Sequence, residues 1–135
     1  MTIRVGAAAI FDDEGKILCC KRNNTPPHSN KWEFPGGKLE QDESVTDCIV
    51  REIKEELNLE IIPIREIISI THKYTHANVC INLWHCVISE ESDAMKLHCH
   101  SDKIWLHASE MIGLDWLDAD IEIVKFLQKY TVNSS

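Results

Sequence analysis

Glu52, Glu55 and Glu56 stand at relative positions 0, +3 and +4. At ~3.6 residues per helical turn, that spacing crowds three carboxylates onto one stripe. Such like-charged pairs destabilise an isolated helix by roughly 0.2–0.5 kcal/mol each. Divalent cations held between them remove the penalty, because hard cations such as Mg²⁺ take carboxylate oxygens. The stripe therefore reads as a metal site, with Mg²⁺ the expected ion and Mn²⁺ the alternative. Just upstream, Phe34-Pro35-Gly36-Gly37 ends in a glycine pair. Backbone without side chains can approach a metal closely, so a carbonyl of Gly36 or Gly37 is expected to complete the shell. Ile49, Val50, Ile53 and Leu57 fall on the adjoining stripe and are expected to bury the helix against a core. An ordinary solvated acidic helix is the plain alternative, and the glycine-rich turn ahead of the carboxylates argues against it.

The elements that must hold this helix are mostly strands. Residues 3–11 form an apolar run, the Asp12-Asp13-Glu14-Gly15 stretch a turn, and residues 16–21 a returning strand. Residues 22–31, with Pro26-Pro27, read as a loop of the kind that closes over ligands. Residues 32–34 read as a short strand and Pro35-Gly36-Gly37 as a turn, with Asp42 or Ser44 available to cap the acidic helix. Residues 60–74 and 79–88 are rich in Ile and Val and predict two long strands, the first at an edge because it contains Pro63. A polar loop over 90–102, a strand over 103–106, a helical turn over 109–112 and a last helix over 118–130 complete the chain. Ile121, Val124, Phe126 and Leu127 are available to pack that last helix. One helix in the middle of the strands and one at the end predict an α/β/α sandwich around a mixed sheet.

A chain of 135 residues is long enough for one domain with a real core and short for two, so 1–135 is expected to be a single domain. Its 14 basic and 22 acidic side chains leave a net charge of −8, which argues against a nucleic-acid polymer as partner. A small nucleotide arriving with its own cations remains compatible. No apolar run approaches the ~20 residues needed to cross a bilayer, and residues 5–11 lack the flanks of a signal peptide. Six cysteines without a CxxC pair read as reduced core residues of a cytoplasmic protein. His98-Cys99-His100 is half of a zinc or redox site without a second ligand cluster at a usual spacing. The residues do not distinguish a monomer from a homodimer.

Gly37, five residues, Glu43, seven residues, then Arg51-Glu52-Ile53-Lys54-Glu55-Glu56-Leu57-Asn58-Leu59 resembles the Nudix box. Asn58 stands where the pattern has a glycine past the helix end, and asparagine is the next most tolerant residue of a left-handed backbone. Lys31-Trp32-Glu33-Phe34 before the glycines, Leu83-Trp84, Trp105 and Leu117-Asp118-Ala119-Asp120 extend the resemblance to the MutT-type nucleoside triphosphate pyrophosphohydrolases, those acting on CTP included. The resemblance implies the Nudix α/β/α fold and Mg²⁺-dependent cleavage of a nucleoside triphosphate to a monophosphate and pyrophosphate, a chemistry used to remove modified nucleotides from the pool. It also implies that Glu43 and Arg51 form a supporting ion pair and that Arg22 meets the phosphates. Cys99 falls where the family often places a further metal-binding glutamate.

Asp120 occupies a position where members acting on 8-oxoguanine typically carry asparagine and those acting on cytosine nucleotides aspartate. A carboxylate only accepts hydrogen bonds, which suits the amino group of cytosine, and Phe34 is placed to stack a base. CTP, dCTP or a 5-modified dCTP is therefore the expected substrate, with 8-oxo-dGTP the alternative. A nucleotide-binding regulator without turnover is a further alternative, which Cys99 favours and the intact Glu52, Glu55, Glu56 set opposes. Plain helix capping is the competing role for Asp120.

Overall fold

The computed structural model describes residues 1–134, with side chains described through residue 130. Seven strands make one mixed sheet: β1 Thr2–Phe11, β2 Ile17–Arg22, β3 Trp32–Glu33, β4 Gly36–Lys38, β5 Ile61–Lys73, β6 Asn78–Ile88 and β7 His100–Leu106. The order is β3-β2-β1-β6-β5, with β4 also pairing to β1 and β7 to β2. β1 and β6 run parallel from Thr2 opposite Asn78 to Phe11 opposite Val87, and the other pairs are antiparallel.

β1 shows why the sandwich forms. Ala7 and Ala9 face a core shared with helix α2 (Asp118–Ser134) and the short 3₁₀ helix Ala108–Gly113. Ala8 and Ile10 face a second core beneath helix α1 (Val45–Leu57). A central strand covered on both sides must be apolar at every position, which explains the unbroken run read from the sequence. Pro63 lies at a bulge in β5, which is an edge strand as expected.

Helix α1 begins at Ser44, whose hydroxyl accepts from the Asp47 backbone N–H at 3.1 Å. It ends at Asn58, which takes the left-handed conformation (φ 57°, ψ 28°) and donates its N–H to the Lys54 carbonyl. The glycine of the family pattern is thus replaced without a change of backbone.

Four expectations are corrected. The glycine pair is not a turn: Gly36–Lys38 is strand β4, with Gly6 opposite Gly37 and Ala7 opposite Gly36. A Cβ on Gly36 would collide with the Gly6 carbonyl, so glycine is what lets these strands approach. On α1, Val50 is 39% exposed, and Cys48 is buried with Ile49, Ile53 and Leu57. On α2, Ile121 is exposed and Ile123 takes its place beside Val124 and Leu127, because those three share one face. β7 also starts at His100 rather than residue 103, since its first polar residues pair with β2.

Candidate active site

One end of the sheet opens into a cavity of about 680 Å³, lined among others by Arg22, Glu33, Phe34, Glu56, Cys99 and Asp120. Residues from β2, β3, α1, the approach to β7 and the start of α2 thus meet in one place. Of the residues expected from the sequence, Gly36 and Gly37 also line it.

The three glutamates of α1 sit at graded depths. Glu56 is half-buried, and its Oε1 is buried without a hydrogen-bond partner. Burial, followed by the nearby charges of Glu33 and Glu52, pushes its carboxyl up to about 8. Glu52 is largely buried behind Gly37, where any Cβ would run into its carboxylate. Glu55 is exposed. Among the described residues, no three carboxylate, imidazole or thiol groups converge as a ready cage for an ion. Instead Arg51 Nη1 stands between Glu52 (2.9 Å) and Glu55 (3.4 Å). The donor set nevertheless fits a hard divalent cation. It is all oxygen, and it carries a buried Glu56 oxygen without a hydrogen-bond partner, as sites awaiting positive charge do. Of the two glycine carbonyls, that of Gly37 already accepts the Cys48 thiol at 3.4 Å.

Glu43 and Arg51 meet as a two-pronged ion pair, Nε to Oε2 at 2.8 Å and Nη2 to Oε1 at 2.9 Å. Arg51, aided by the Glu40 backbone N–H, holds the Glu43 carboxyl down at about 2. The same guanidinium bonds the Lys38 carbonyl at 3.3 Å, so it ties the loop before α1, strand β4 and the glutamate stripe of α1 together.

Asp120, at the start of α2, is 5% exposed, and burial, then the charge of Glu33, pushes it up to about 8. A hydrogen bond from the Phe34 backbone opposes that rise, and Arg22 opposes it more weakly. Phe34 lines the cavity with one face stacked on Trp116, ring centres 4.9 Å apart. Trp116 in turn donates its indole N–H to the Met111 carbonyl at 2.7 Å, which fixes the pair.

Cys99 borders the same cavity, and its thiol is raised by partial burial and then by Glu56, Glu52, Glu55 and Glu33. It therefore stands among the acidic groups, where the resemblance places a glutamate. Of the His98-Cys99-His100 triplet, Cys99 and His100 line the cavity, and His100 bonds Glu33 at 2.9 Å. All six cysteines are free. Glu33 was not singled out from the sequence, although its charge acts on both Glu56 and Asp120. A charged residue between two aromatics in a short buried strand is the signal that could have found it.

A family model described as NUDIX domain matches residues 1–126. The chain is 30% identical over 118 residues to the CTP pyrophosphohydrolase of Escherichia coli K12, covering 87% of this chain and 86% of that protein. The 8-oxo-dGTP diphosphatase of Proteus vulgaris is 23% identical over 82 residues, 61% of this chain and 73% of that one. Among solved structures, the E. coli ORF135 protein superposes with a TM-score of 0.85 at 29% identity, covering 98% of this chain and 92% of that one. A MutT protein of methicillin-resistant Staphylococcus aureus 252 gives 0.73 at 34% identity, covering 96% and 98%.

Proposed function

This chain belongs to the NUDIX domain family and is a hydrolase of phosphoanhydride bonds, and from that premise we propose that it is a Mg²⁺-dependent nucleoside triphosphate pyrophosphohydrolase, acting on a cytosine-type nucleotide as a single domain. Water attacks the triphosphate, one phosphoanhydride bond breaks, and a nucleoside monophosphate and pyrophosphate leave. What supports this reading most is Glu56, a half-buried carboxylate whose buried Oε1 has no partner and which shares a cavity with the buried Asp120. One end of that cavity suits a cation-loaded phosphate chain, and the other suits a base.

In this proposal Glu52, Glu55 and Glu56 hold the metal, with a carbonyl of Gly36 or Gly37 beside them. Bound Mg²⁺ supplies charge neutralisation of the phosphates and activation of the attacking water. Arg51 holds Glu52 and Glu55 in place and is itself held by Glu43. Arg22 reaches the phosphates, and its buried Nε has no partner within the protein. Phe34 and Asp120 place the base. With its carboxyl pushed up to about 8, Asp120 is protonated at neutral pH and both donates and accepts. That matches N3 and the amino group of cytosine. It equally matches O6 and N7–H of 8-oxoguanine, so 8-oxo-dGTP is the second reading. The six free cysteines fit a reducing compartment, and the cytoplasm is the proposed location.

The test is release of pyrophosphate from a panel of unmodified, oxidised and methylated triphosphates, with Mg²⁺, Mn²⁺ or EDTA. The reading expects metal-dependent release with cytosine nucleotides or 8-oxo-dGTP ahead of the rest. Release that persists in EDTA, or none from any triphosphate, overturns it.

A further inference from the structure

Three strands deliver a charged or polar side chain to one spot on the cavity wall: Arg22 from β2, Glu33 from β3 and His100 from β7. The register between β2 and β7 slips at Lys21/Arg22, so that Arg22 lies opposite His100. A bulge of this kind re-aims the side chain that follows it. Glu33 then bridges the other two. Its Oε1 accepts from Arg22 Nη1 at 3.2 Å, and its Oε2 accepts from His100 Nε2 at 2.9 Å. The His100 side chain is only 2% exposed, and its Nδ1 is buried without a partner, as is Arg22 Nε.

An arginine beside a carboxylate favours a two-pronged pair that uses both carboxylate oxygens and two of its own donors. The Arg51–Glu43 pair in this same molecule has that form. Arg22 and Glu33 touch at a single oxygen, because His100 has taken the other. We propose that His100 is a positioning residue that keeps Glu33 from closing a two-pronged pair with Arg22, and so leaves the guanidinium's remaining Nη donors free for the phosphate chain of a nucleotide. This rests on the reading of Arg22 as the phosphate-binding residue. An imidazole that merely filled the core would leave the Arg22 side chain indifferent to its loss.

His100→Leu, His100→Gln and the wild type are compared with CTP in Mg²⁺. The leucine variant frees Glu33 to close on Arg22, so KM is expected to rise about tenfold while kcat stays within about threefold. His100→Gln keeps an N–H at the position of Nε2 and is expected to restore KM to within about twofold of the wild type. In an Arg22→Gln background, His100→Leu is expected to add less than about twofold, because the pair it acts on is gone. An undiminished effect in that background, a glutamine variant as impaired as the leucine one, or a loss confined to kcat overturns the proposal.

A readout independent of turnover comes from ¹⁵N NMR of the Arg22 guanidinium. A one-point contact leaves rotation about Cζ–Nε fast in the wild type, and a two-pronged pair slows it in His100→Leu. Slow rotation in the wild type overturns the proposal whether or not the leucine variant folds. If the wild type hydrolyses no triphosphate, the functional reading falls by itself, and the NMR comparison still decides the role of His100.

Discussion

The two ends of the cavity treat charge in opposite ways. Around α1, carboxylates are crowded and graded in depth, and Arg51 answers most of them, holding Glu43 down at about 2 while Glu56 is left pushed up to about 8. Around α2, the carboxyl of Asp120 is buried in the cavity wall beside the Phe34 backbone and also pushed up to about 8, mainly by burial itself. The first arrangement crowds carboxylates around Glu56, whose proton a cation would displace. The second keeps a carboxyl neutral so that it can donate as well as accept. The first should set how fast any substrate reacts, and the second which substrate reacts.

The hardest test of that division is Glu56→Gln. The amide is nearly isosteric, yet its missing charge weakens neutralisation of the phosphates, so kcat is expected to fall about 10²–10³-fold. All triphosphates should lose alike. Pyrophosphate release from protein shown folded by circular dichroism measures this, and turnover at the parent rate would remove Glu56 from the metal site.

Asp120→Asn should do the reverse, reordering substrates more than slowing them. An amide keeps one donor and one acceptor at any pH, whereas the parent carboxyl loses its donor as it ionises above about 8, so kcat/KM for 8-oxo-dGTP relative to CTP is expected to match the parent near pH 7 and to exceed it by about tenfold well above pH 8. Stability supplies a second readout. The carboxyl's folded value lies above its ordinary 3.8, so its burial destabilises the fold increasingly as pH rises from about 4 toward 8. The asparagine variant should therefore match the parent near pH 4 and exceed it in Tm by a margin that grows up to pH 8. A substrate ratio unchanged well above pH 8 together with a constant Tm gap would leave Asp120 without a part in base recognition.

Glu43 has the opposite sign. Arg51 lowers it from an ordinary 4.5 to about 2, so its contribution is present above about pH 4.5 and is lost as pH falls toward 2. Glu43→Gln should lower Tm modestly at pH 7 and flatten the profile between pH 4.5 and 2. Parallel Tm curves for variant and parent would mean that the pair contributes no stability, as many exposed ion pairs do not.

The α1 end was legible in the sequence because Glu52, Glu55, Glu56 and Arg51 lie within two helical turns, and helical periodicity alone puts them side by side. Ser44 and Asn58 were legible for the same reason, since caps are local. The other end is assembled from Phe34, Trp116 and Asp120, segments some eighty residues apart, and spacing says nothing about such meetings. Asp120 could be pointed to only through the resemblance, and its state of protonation depends on burial that no local pattern reveals. Glu33 and His100 show the same limit. Their partnership depends on a one-residue slip between β2 and β7, and a slip of register decides which side chains share a face.

Cys99 is where the comparison is most finely balanced, because it sits among the acidic groups of the first end without adding to their charge. Burial and four surrounding glutamates keep its thiol protonated, and a thiol in that state is a poor ligand and a poor nucleophile. Cys99→Ser should therefore change kcat/KM by no more than about twofold. Cys99→Glu is more informative. A fifth carboxylate should lower Tm in EDTA through like-charge repulsion. In Mg²⁺ it should leave activity equal or higher and lower the Mg²⁺ concentration that gives half-maximal rate, because a cation is what such a cluster lacks. A serine variant that loses tenfold or more would show that the sulfur itself takes part, and the charge-holding end would then include a residue whose chemistry is not that of a carboxylate.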